Sequence, residues 1–444
     1  MTVKEQQQRP SSASSATTGL SRRTFLQAVG ASAAWAVSAP GVFAQNTASQ
    51  ADPNAPAAAR YLYVGTYSAP NTAPGGVAPS RAEGLYVYRL NHATGDLSHV
   101  QTVTADNPSF LAVAPSQRYL YCVNELGADA SGEPLGRVSA YAIDPDTGKL
   151  TLINARSTRG TWPCHCAVHP SGGHLLAANY GTGTFAVFPL GEDGRIEPMS
   201  DLFQAPGNGG GPDPVRQEGP HAHMMLANPG AQHVFGVDLG GDTLLAWQLD
   251  PATGKLAPGP VPRASVPSGS GCRHLAFHPD ERRAYVINEL SSTIDVFDFE
   301  PRRGAFIWRQ SISTLPQNTP FTRPAFNPDN PGDVPTGTNT TAEIRVHPSG
   351  RWVYATNRGM DSIAMFAVDP NSGRLASTGW VQSRGQIPRG MNIEPSGRWL
   401  YVGNQNSDTI AVFRIGAEDG QLEGPIKLID SPVPVDFAFG PAVR

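Results

Sequence analysis

The chain has 444 residues, a formal net charge of -4 at pH 7 and only 16% charged residues, against a usual share of about 25%. Its 47 glycines and 41 prolines make up about a fifth of the chain, which is below the roughly 25–30% typical of low-complexity proteins. This composition excludes a highly charged disordered protein and argues against a surface that coats nucleic acid. It indicates many turns, and therefore many short strands.

The N-terminal segment, residues 1–44, has the pattern of an export signal. A polar stretch leads to Arg22 and Arg23 within the run Ser-Arg-Arg-Thr-Phe-Leu-Gln, and residues 24–44 are uncharged and rich in Ala, Val and Gly. Because this pattern resembles a twin-arginine signal, we predict that the folded chain is exported to the periplasm by the twin-arginine machinery.

The end of this segment indicates where the signal is removed. Val42 and Ala44 place small or aliphatic residues where a signal peptidase reads them, which predicts cleavage before Gln45. An uncleaved membrane anchor is the alternative, but Gly, Ser and Pro interrupt the stretch, and a spanning helix needs about 20 predominantly apolar residues. We predict no stable membrane insertion after cleavage. Residues 45–59, rich in Asn, Ala and Pro, are predicted to be a linker.

One unit recurs along residues 60–444. An apolar strand ends at a Pro, a polar turn leads to a second strand that ends in Asn or Asp, and a third strand leads to a turn with Gly; residues 342–375 hold the unit in full. The Pro positions are Pro115, Pro170, Pro229, Pro279, Pro348, Pro395 and Pro441. A period of about 50 residues with alternating strands is typical of propeller blades of four strands. The sequence therefore predicts an all-β, seven-bladed β-propeller with antiparallel strands.

The first blade lacks a strand at its start, and the chain has an additional strand at its C-terminal end. Residues 61–64 resemble the second strand of a blade that has no first strand before it. Residues 434–441 repeat the Pro-to-Pro spacing found between Pro163 and Pro170. We therefore predict that the C-terminal strand joins blade one and closes the ring, which pairs the strand edges there.

The long loops are predicted to share one face of the ring. Antiparallel strands reverse at every turn, so the second-to-third loops and the blade-to-blade connections lie together. All the long insertions belong to this set, namely residues 68–83, 127–136, 201–219 and 311–340. Because function concentrates on elaborated loops over a rigid scaffold, we predict that this loop-rich face carries the site.

Residues that recur at equivalent positions in several blades are interpreted as architectural. One set precedes the Pro on the short-turn face and consists of His169, His278 and His347. The other set ends the second strands, where a polar side chain can satisfy a turn, and consists of Asn124, Asn179, Asp238, Asn288, Asn357 and Asn404.

Polar residues that differ from blade to blade form the candidate site. The first strands are predicted to begin on the loop-rich face near the axis, where the chain places His165, His221, His223, Arg273, His274, Glu343 and Arg389. The loop before blade four adds Arg216, Gln217 and Glu218. A solvated polar rim is the alternative interpretation, but four His and three Arg at one funnel mouth exceed what packing requires.

This set of side chains suits an anionic small molecule. Guanidinium groups hold carboxylate or phosphate through two parallel hydrogen bonds, and His or Glu can transfer protons near neutral pH. Lactone hydrolysis needs an activated water and a cation for the tetrahedral oxyanion, whereas ring closure of an unsaturated diacid needs carboxylate clamps and one proton donor. Both reactions fit these residues. The sequence has neither the G-x-S-x-G elbow of many serine hydrolases nor the G-x-x-x-x-G-K-[ST] loop of NTPases.

A metal site from His221, His223 and Glu343 is a weaker alternative, because two histidines separated by one residue on an extended segment are weak evidence for a ligand set. The four cysteines contain no C-x-x-C pair, so they lack a zinc signature, and we interpret them as core residues. We predict no metal and no cofactor.

Several segments resemble the seven-bladed propeller lactonase family, which includes 6-phosphogluconolactonases of the propeller type and fungal carboxymuconate-lactonizing enzymes. These segments are residues 216–223 (Arg-Gln-Glu-Gly-Pro-His-Ala-His), 271–274 (Gly-Cys-Arg-His), 285–293, 342–344 and 357–363. The resemblance implies a metal-independent site at the funnel mouth, with His165, Arg216 and Arg273 taking part.

We predict a lactone hydrolase of the 6-phosphogluconolactonase type that acts on a sugar or related anionic lactone. The predicted catalytic residues are His165, Arg216, His223, Arg273 and Glu343, and the predicted substrate-binding residues are Gln217, Glu218, His221, His274 and Arg389. A cycloisomerase of the carboxymuconate type and a non-catalytic periplasmic binding propeller are the alternatives. The expected partner is a small anionic lactone, nucleic acid is not expected as a partner, and the expected state is a monomer.

Overall fold

The computed structural model describes residues 60–68, 80–207, 209–324 and 334–441. The predicted signal, its cleavage site and the predicted linker lie outside the described residues. Within the described ranges, no helix is long and apolar enough to cross a membrane.

The described strands form seven antiparallel sheets of four strands each. The strands of the first three blades in chain order are β1 (Tyr61–Thr66), β2 (Gly84–Leu90), β3 (Leu97–Thr104), β4 (Pro108–Val113), β5 (Tyr119–Asn124), β6 (Arg137–Ile143), β7 (Leu150–Ser157), β8 (Pro163–Val168), β9 (His174–Asn179), β10 (Thr184–Pro189) and β11 (Asp201–Gln204). Those of blades four and five are β12 (Ala222–Ala227), β13 (Val234–Asp238), β14 (Thr243–Leu249), β15 (Leu256–Ser265), β16 (Cys272–Phe277), β17 (Arg283–Asn288), β18 (Thr293–Glu300) and β19 (Ala305–Ser313).

The remaining strands form blades six and seven, followed by the C-terminal strand. They are β20 (Thr340–Val346), β21 (Trp352–Arg358), β22 (Ser362–Val368), β23 (Leu375–Gln382), β24 (Pro388–Ile393), β25 (Trp399–Asn404), β26 (Thr409–Ile415), β27 (Leu422–Asp430) and β28 (Pro434–Phe439). A short 3-10 turn, Gln405–Ser407, lies between β25 and β26. The predicted all-β, seven-bladed propeller is confirmed.

The ring is closed by β28, as predicted. This strand pairs antiparallel with β1, with Val64 opposite Phe437 and Leu62 opposite Phe439. It is the innermost strand of the first sheet, whose order is β28, β1, β2, β3. The seven innermost strands each pack against their two neighbours, with β28 between β24 and β4, so the inner strands form an uninterrupted ring.

The apolar core lies between the blades. Seven buried clusters each join residues of two adjacent blades; in one of them Phe437 and Val435 of β28 pack with Tyr401 and Val412 of blade seven. The middle strands are buried almost throughout because both of their faces meet a neighbouring blade. More than half of the residues of the outermost strands are exposed. The four cysteines are free and buried, as the sequence indicated.

The repeated His and Asn residues are architectural, as interpreted from the sequence. The Nε2 atom of His278 lies 2.9 Å from the carbonyl oxygen of Gly350, in the short turn of the next blade. Gly350 has a φ of 73°, and a Cβ there would meet the His278 ring. The amide of Asn357 donates to the Thr314 carbonyl oxygen at 3.0 Å, at the end of the preceding blade. His278 and Asn357 therefore each tie two consecutive blades together.

The loop boundaries differ in part from the sequence prediction. Residues 201–204 form β11, because Asp201 and Leu202 pair with Val187 and Ala186, and residues 311–313 belong to β19. The connections before blades four and six are therefore shorter than predicted and run from 205 to 221 and from 314 to 339. The described residues of both connections lie on the same face as the loops between second and third strands.

Deletion of residues 432–444 tests whether β28 holds the whole ring. The deletion removes Val435, Phe437 and Ala438 from the core, and each large apolar side chain contributes about 1.5–3 kcal/mol. We expect the melting temperature to fall by more than about 10 °C, measured by circular dichroism at 218 nm. Deletion of residues 442–444 is the control, because it leaves β28 intact. A long deletion that melts like the control would contradict closure by this strand.

Candidate active site

The inner strand of every blade carries an irregularity close to the loop-rich face. In five blades one extra residue stands between two paired positions, and these residues are Ser109, Cys164, His223, Arg273 and Arg389. In blade six the extra pair is Ala342 and Glu343, and in blade one the extra residue is Val435. A β-bulge leaves its residue unpaired and turns the side chain in a new direction, often next to an active site. Four of the ten predicted site residues lie at these bulges.

A second group of site residues follows the strand-end position of the second strands, which is Thr66 in blade one and an architectural Asn in the other four blades concerned. In blades one, two, three, five and six the residue directly after the strand-end position is Tyr67, Glu125, Tyr180, Glu289 and Arg358. All five are buried. Because every second strand ends on the loop-rich face, these side chains lie next to the bulges of the first strands.

Glu289 is the centre of the most highly charged group. Its Oε1 lies 2.6 Å from Arg216 Nη2, and its Oε2 lies 3.0 Å from Arg273 Nε and 3.2 Å from Arg358 Nη2. We call these four residues the Glu289 cluster. Arg216 also donates from Nε to the Tyr180 hydroxyl at 2.7 Å. The cluster joins side chains from blades four, five and six at one place.

The Glu289 cluster contains three guanidinium groups for one carboxylate, which is a surplus of two positive charges. Burial raises the pKa of Glu289, but Arg216, Arg358 and Arg273 outweigh it and hold that pKa well below its ordinary value. Burial lowers the pKa of Arg358 to about 9 and also lowers the pKa of Arg273. The pKa of Arg358 still lies above 7, and Tyr180 and Glu289 outweigh burial and raise the pKa of Arg216. A bound anion would relieve the mutual repulsion of the guanidinium groups.

Three buried histidines lie beside this cluster. The His274 ring centroid lies 5.3 Å from that of His223 and 5.6 Å from that of His165. Burial lowers the pKa of each of the three well below 6.5, and nearby arginines act in the same direction. All three are therefore neutral at pH 7, the form in which a histidine can accept a proton. Two of them reach the cluster: His274 Nε2 lies 3.2 Å from Arg273 Nη1, and His223 Nε2 lies 3.8 Å from Glu289 Oε2.

A row of titratable side chains continues from His274 to the closing strand β28. His274 Nδ1 lies 3.2 Å from Glu343 Oε1, which is 3.5 Å from Arg345 Nη1. Arg345 Nη2 in turn lies 4.0 Å from Asp436 Oδ1 on β28. Burial raises the pKa of Asp436 to about 7. Ring closure therefore also supplies a polar residue to the interior of the site.

The residues of the loop before blade four divide into two groups. Glu218 and His221 lie at the rim, with His221 Nε2 2.9 Å from Glu218 Oε1 and its ring stacked on Tyr180. The predicted substrate-binding residue Gln217 is fully buried and donates to Asp242 Oδ2 at 2.8 Å. The Gln217 amide therefore helps to hold the loop, and a role of this residue in substrate binding stays a prediction.

Arg389 lies on the other side of the site from the Glu289 cluster. It comes from blade seven, and its guanidinium carbon is 5.3 Å from the centre of the Tyr67 ring. The Tyr67 hydroxyl donates to Glu125 Oε2 at 2.9 Å. Arg389 is coupled electrostatically to groups on both sides of the site. Burial lowers its pKa, but Tyr67, Glu125 and Glu289 together raise it above its ordinary value.

The three residues of the alternative metal site do not converge. His221 contacts Glu218 and the Tyr180 carbonyl oxygen, whereas Glu343 contacts His274. Among the residues that the structure describes, no group of three or more His, Cys, Asp or Glu side chains is placed to hold a metal ion.

Sequence reasoning missed Glu289 and Arg358 of the cluster, and Tyr67, Glu125 and Tyr180 beside it. For all of them except Tyr67, which follows Thr66, the position directly after the repeated Asn was a usable signal. The repeat predicts an architectural residue near the strand end, so the next residue lies at or just beyond the end of the strand, on the loop-rich face. There it differs from blade to blade, which is what distinguishes a site residue from a repeated one.

Replacement of Glu289 by Gln tests the role of the carboxylate as counter-charge. Three buried guanidinium groups would then repel one another without compensation, and breaking a buried ion pair typically costs about 3–5 kcal/mol. We expect the free energy of unfolding in urea to fall by about this amount. Glu418→Gln, at an exposed position, is the matched control. Equal stability of the two variants would show that Glu289 does not neutralise the arginines.

Comparisons with known proteins agree with this architecture. The family model described as a seven-bladed β-propeller lactonase matches residues 61–439. A 6-phosphogluconolactonase of Bacillus subtilis is 35% identical over 331 residues, which cover 74% of this chain and 83% of that protein. A 6-phosphogluconolactonase of Formosa agariphila is 30% identical over 316 residues, which cover 70% of this chain and 82% of that protein.

A solved structure gives the same result in three dimensions. The periplasmic gluconolactonase of Pseudomonas aeruginosa superimposes with a TM-score of 0.73 at 29% identity, covering 86% of this chain and 99% of that one. Together with the fold, these matches show that the chain belongs to the seven-bladed β-propeller lactonase family and is, at the level of that family, a lactone hydrolase.

Proposed function

We propose that this chain is an exported hydrolase of a sugar lactone or related anionic lactone, similar in activity to 6-phosphogluconolactonases. The observation that carries the proposal is a buried surplus of two positive charges, in the Glu289 cluster, directly beside the neutral His223. Lactone hydrolysis creates negative charge first on the carbonyl oxygen and then on the product carboxylate. A preorganised cationic site stabilises both.

The arginines of the cluster bind the anions that form. Arg273 lies at a bulge, so its side chain leaves the sheet and stabilises the oxyanion, while Arg216 holds an anionic group of the substrate. Glu289 fixes the guanidinium groups of both, together with that of Arg358. Because these groups are already oriented, little reorganisation is needed when charge develops.

His223 acts as the general base. It takes a proton from water while the water oxygen bonds to the lactone carbonyl carbon, and the imidazolium that forms is stabilised by the nearby Glu289 carboxylate. When the tetrahedral intermediate collapses, the bond between the carbonyl carbon and the ring oxygen breaks. The proton on His223 then passes to that oxygen, which becomes the hydroxyl of the product hydroxy acid.

His165 and Glu343 are the other residues of the predicted catalytic set that could act as the base, but both have competing contacts. His165 Nδ1 accepts from the backbone N–H of Met225 at 3.4 Å, and its ring packs on Phe110 with centroids 4.2 Å apart. Glu343 contacts both His274 and Arg345. These contacts favour positioning roles for His165 and Glu343, with His274 held between them.

Proton release from a panel of lactones tests the proposed reaction. The panel contains glucono-δ-lactone, its 6-phosphate and a muconolactone. Each lactone is tested with the mature chain and with the variants His223→Gln and Arg273→Ala. Because loss of a general base or of an oxyanion donor typically costs about 100-fold or more, we expect kcat/KM to fall by at least that factor in both variants. Arg384→Gln, at an exposed position, should match the wild type.

Circular dichroism checks that each variant is folded. We expect Arg273→Ala to stay folded, because Glu289 keeps Arg216 and Arg358 as partners. Wild-type rates in both variants would exclude this site. Spontaneous rates for every lactone with the folded wild-type chain would exclude lactone hydrolysis on this panel.

Cycloisomerisation is the second candidate, because the same positive surplus suits an unsaturated dicarboxylate. That reaction closes a ring without net addition of water. Product masses from two substrates distinguish the reactions. An isomer formed from carboxymuconate supports cycloisomerisation, and a product heavier by one water formed from a lactone of the panel supports hydrolysis.

Export to the periplasm is part of the proposal and rests on the twin-arginine pattern, with support from a relative whose name describes it as periplasmic. Twin-arginine transport depends on the arginine pair, so the double variant Arg22→Lys, Arg23→Lys should remain in the cytoplasm. Fractionation of cells expressing each full chain, followed by immunoblotting, measures this. A double variant that still reaches the periplasm, or a wild-type chain found only in the cytoplasm, would contradict the proposal.

A further inference from the structure

The two buried carboxylates that follow second strands have different partners. Glu289 of blade five contacts three guanidinium groups. Glu125 of blade two accepts hydrogen bonds from two hydroxyl groups, from Tyr67 Oη at 2.9 Å and from Ser109 Oγ at 2.5 Å. We call Tyr67, Ser109, Glu125 and Arg389 the Glu125 cluster. It lies in blades seven, one and two, across the ring from the Glu289 cluster.

Both hydroxyls donate to the same oxygen of Glu125. Oε2 is therefore occupied twice, whereas Oε1 has no hydrogen-bond partner among the residues described in the structure. A carboxylate can accept about four hydrogen bonds in all. Tyr67 and Ser109 thus fix the orientation of Glu125 and leave one oxygen available to a ligand.

Arg389 is the donor that complements this acceptor. It is partly exposed at the bulge of blade seven, and its guanidinium group has no hydrogen bond and no ion pair within the described ranges. Its contact there is with the face of Tyr67. A planar guanidinium group held on an aromatic ring keeps its N–H donors free for a ligand.

The charges of the two clusters differ. Arg389 and Glu125 balance each other, whereas the Glu289 cluster has a surplus of two positive charges. Burial raises the pKa of Glu125, and Arg389 is the charge that opposes this effect most strongly. A charge-balanced pair of donor and acceptor is suited to hydroxyl groups, because a hydroxyl can donate to a carboxylate and accept from a guanidinium group.

We propose that Arg389 and Glu125 form a hydroxyl-binding subsite that recognises the polyol part of a sugar lactone while the Glu289 cluster binds the reacting carbonyl. This inference rests on the proposed function. It assigns substrate specificity to residues outside the reaction centre and makes polyhydroxylated lactones the preferred class. A site built to bond hydroxyl groups rejects an analogue that lacks them, because its buried polar groups then stay unpaired.

Two lactones of the same ring size test the subsite: glucono-δ-lactone, which carries hydroxyl groups, and δ-valerolactone, which carries none. The measured quantity is the ratio of their kcat/KM values after subtraction of spontaneous hydrolysis. In Glu125→Gln, the amide oxygen must accept from Tyr67 and Ser109, which places an NH2 donor where Oε1 stood. We expect this variant and Arg389→Gln each to lower the ratio at least about 10-fold.

Matched controls come from exposed positions on neighbouring loops. Glu133→Gln and Arg384→Gln make the same chemical changes outside both clusters, so the wild-type ratio should be retained in both. An unchanged ratio in Glu125→Gln and Arg389→Gln would overturn the proposal. An equal loss of kcat/KM for both lactones would also overturn it, because the two residues would then serve the fold or the chemistry instead of hydroxyl recognition.

Binding measurements separate a failure of the subsite from a failure of the proposed function. Calorimetric titration with gluconate and with valerate compares a carboxylate that has hydroxyl groups with one that has none. We expect the wild type to bind gluconate more tightly, and this preference to disappear in Glu125→Gln. If the wild type hydrolyses neither lactone, the proposed function fails, and a preference for gluconate that depends on Glu125 would still support the subsite. Equal affinity for both acids would overturn it.

Discussion

Pairing of the last strand with the first is the constraint on which the rest of the structure depends. The hydrogen bonds between β28 and β1 join chain segments almost 380 residues apart, and they turn seven separate sheets into a ring. Each blade buries its faces only against its neighbours, so an open ring would expose two apolar faces at once. The same closure puts Asp436 near Arg345 and brings blades seven, one and two to the side of the site that faces blades four to six.

The ring converts a repeated irregularity into a functional site. A single β-bulge redirects one side chain, but bulges repeated around one axis direct side chains from several blades into a shared space. The blades keep the same backbone there and vary the residue, from Ser109 and Cys164 to His223, Arg273 and Arg389. The positions after the second strands add a second layer. Chemistry can therefore differ between blades without a cost to the repeat that folds them.

Electrostatics explains how this space can hold so many cations. Burying like charges together is costly, and Glu289 reduces this cost for three arginines at once, while the lowered pKa values keep the neighbouring histidines neutral. The two positive charges that remain uncompensated favour anions, because an anion that forms or binds in the site neutralises them. Glu125, held by two hydroxyls, provides a charge-balanced environment for Arg389. The two halves of the site thus differ in charge although they use the same backbone positions.

The sequence by itself determined the fold class, the number of blades, the closing strand and the face that carries the long loops, because all of these follow from local periodicity and turn chemistry. It also identified His223, Arg273, Arg216 and Arg389 as exceptions to the repeat. Only the tertiary structure decided which residues meet: that Glu289 collects three arginines, that Gln217 supports a loop, and that Glu125 lies with Arg389. The physical reason is that these contacts join different blades, and their distances depend on ring closure and on bulges that no local pattern encodes.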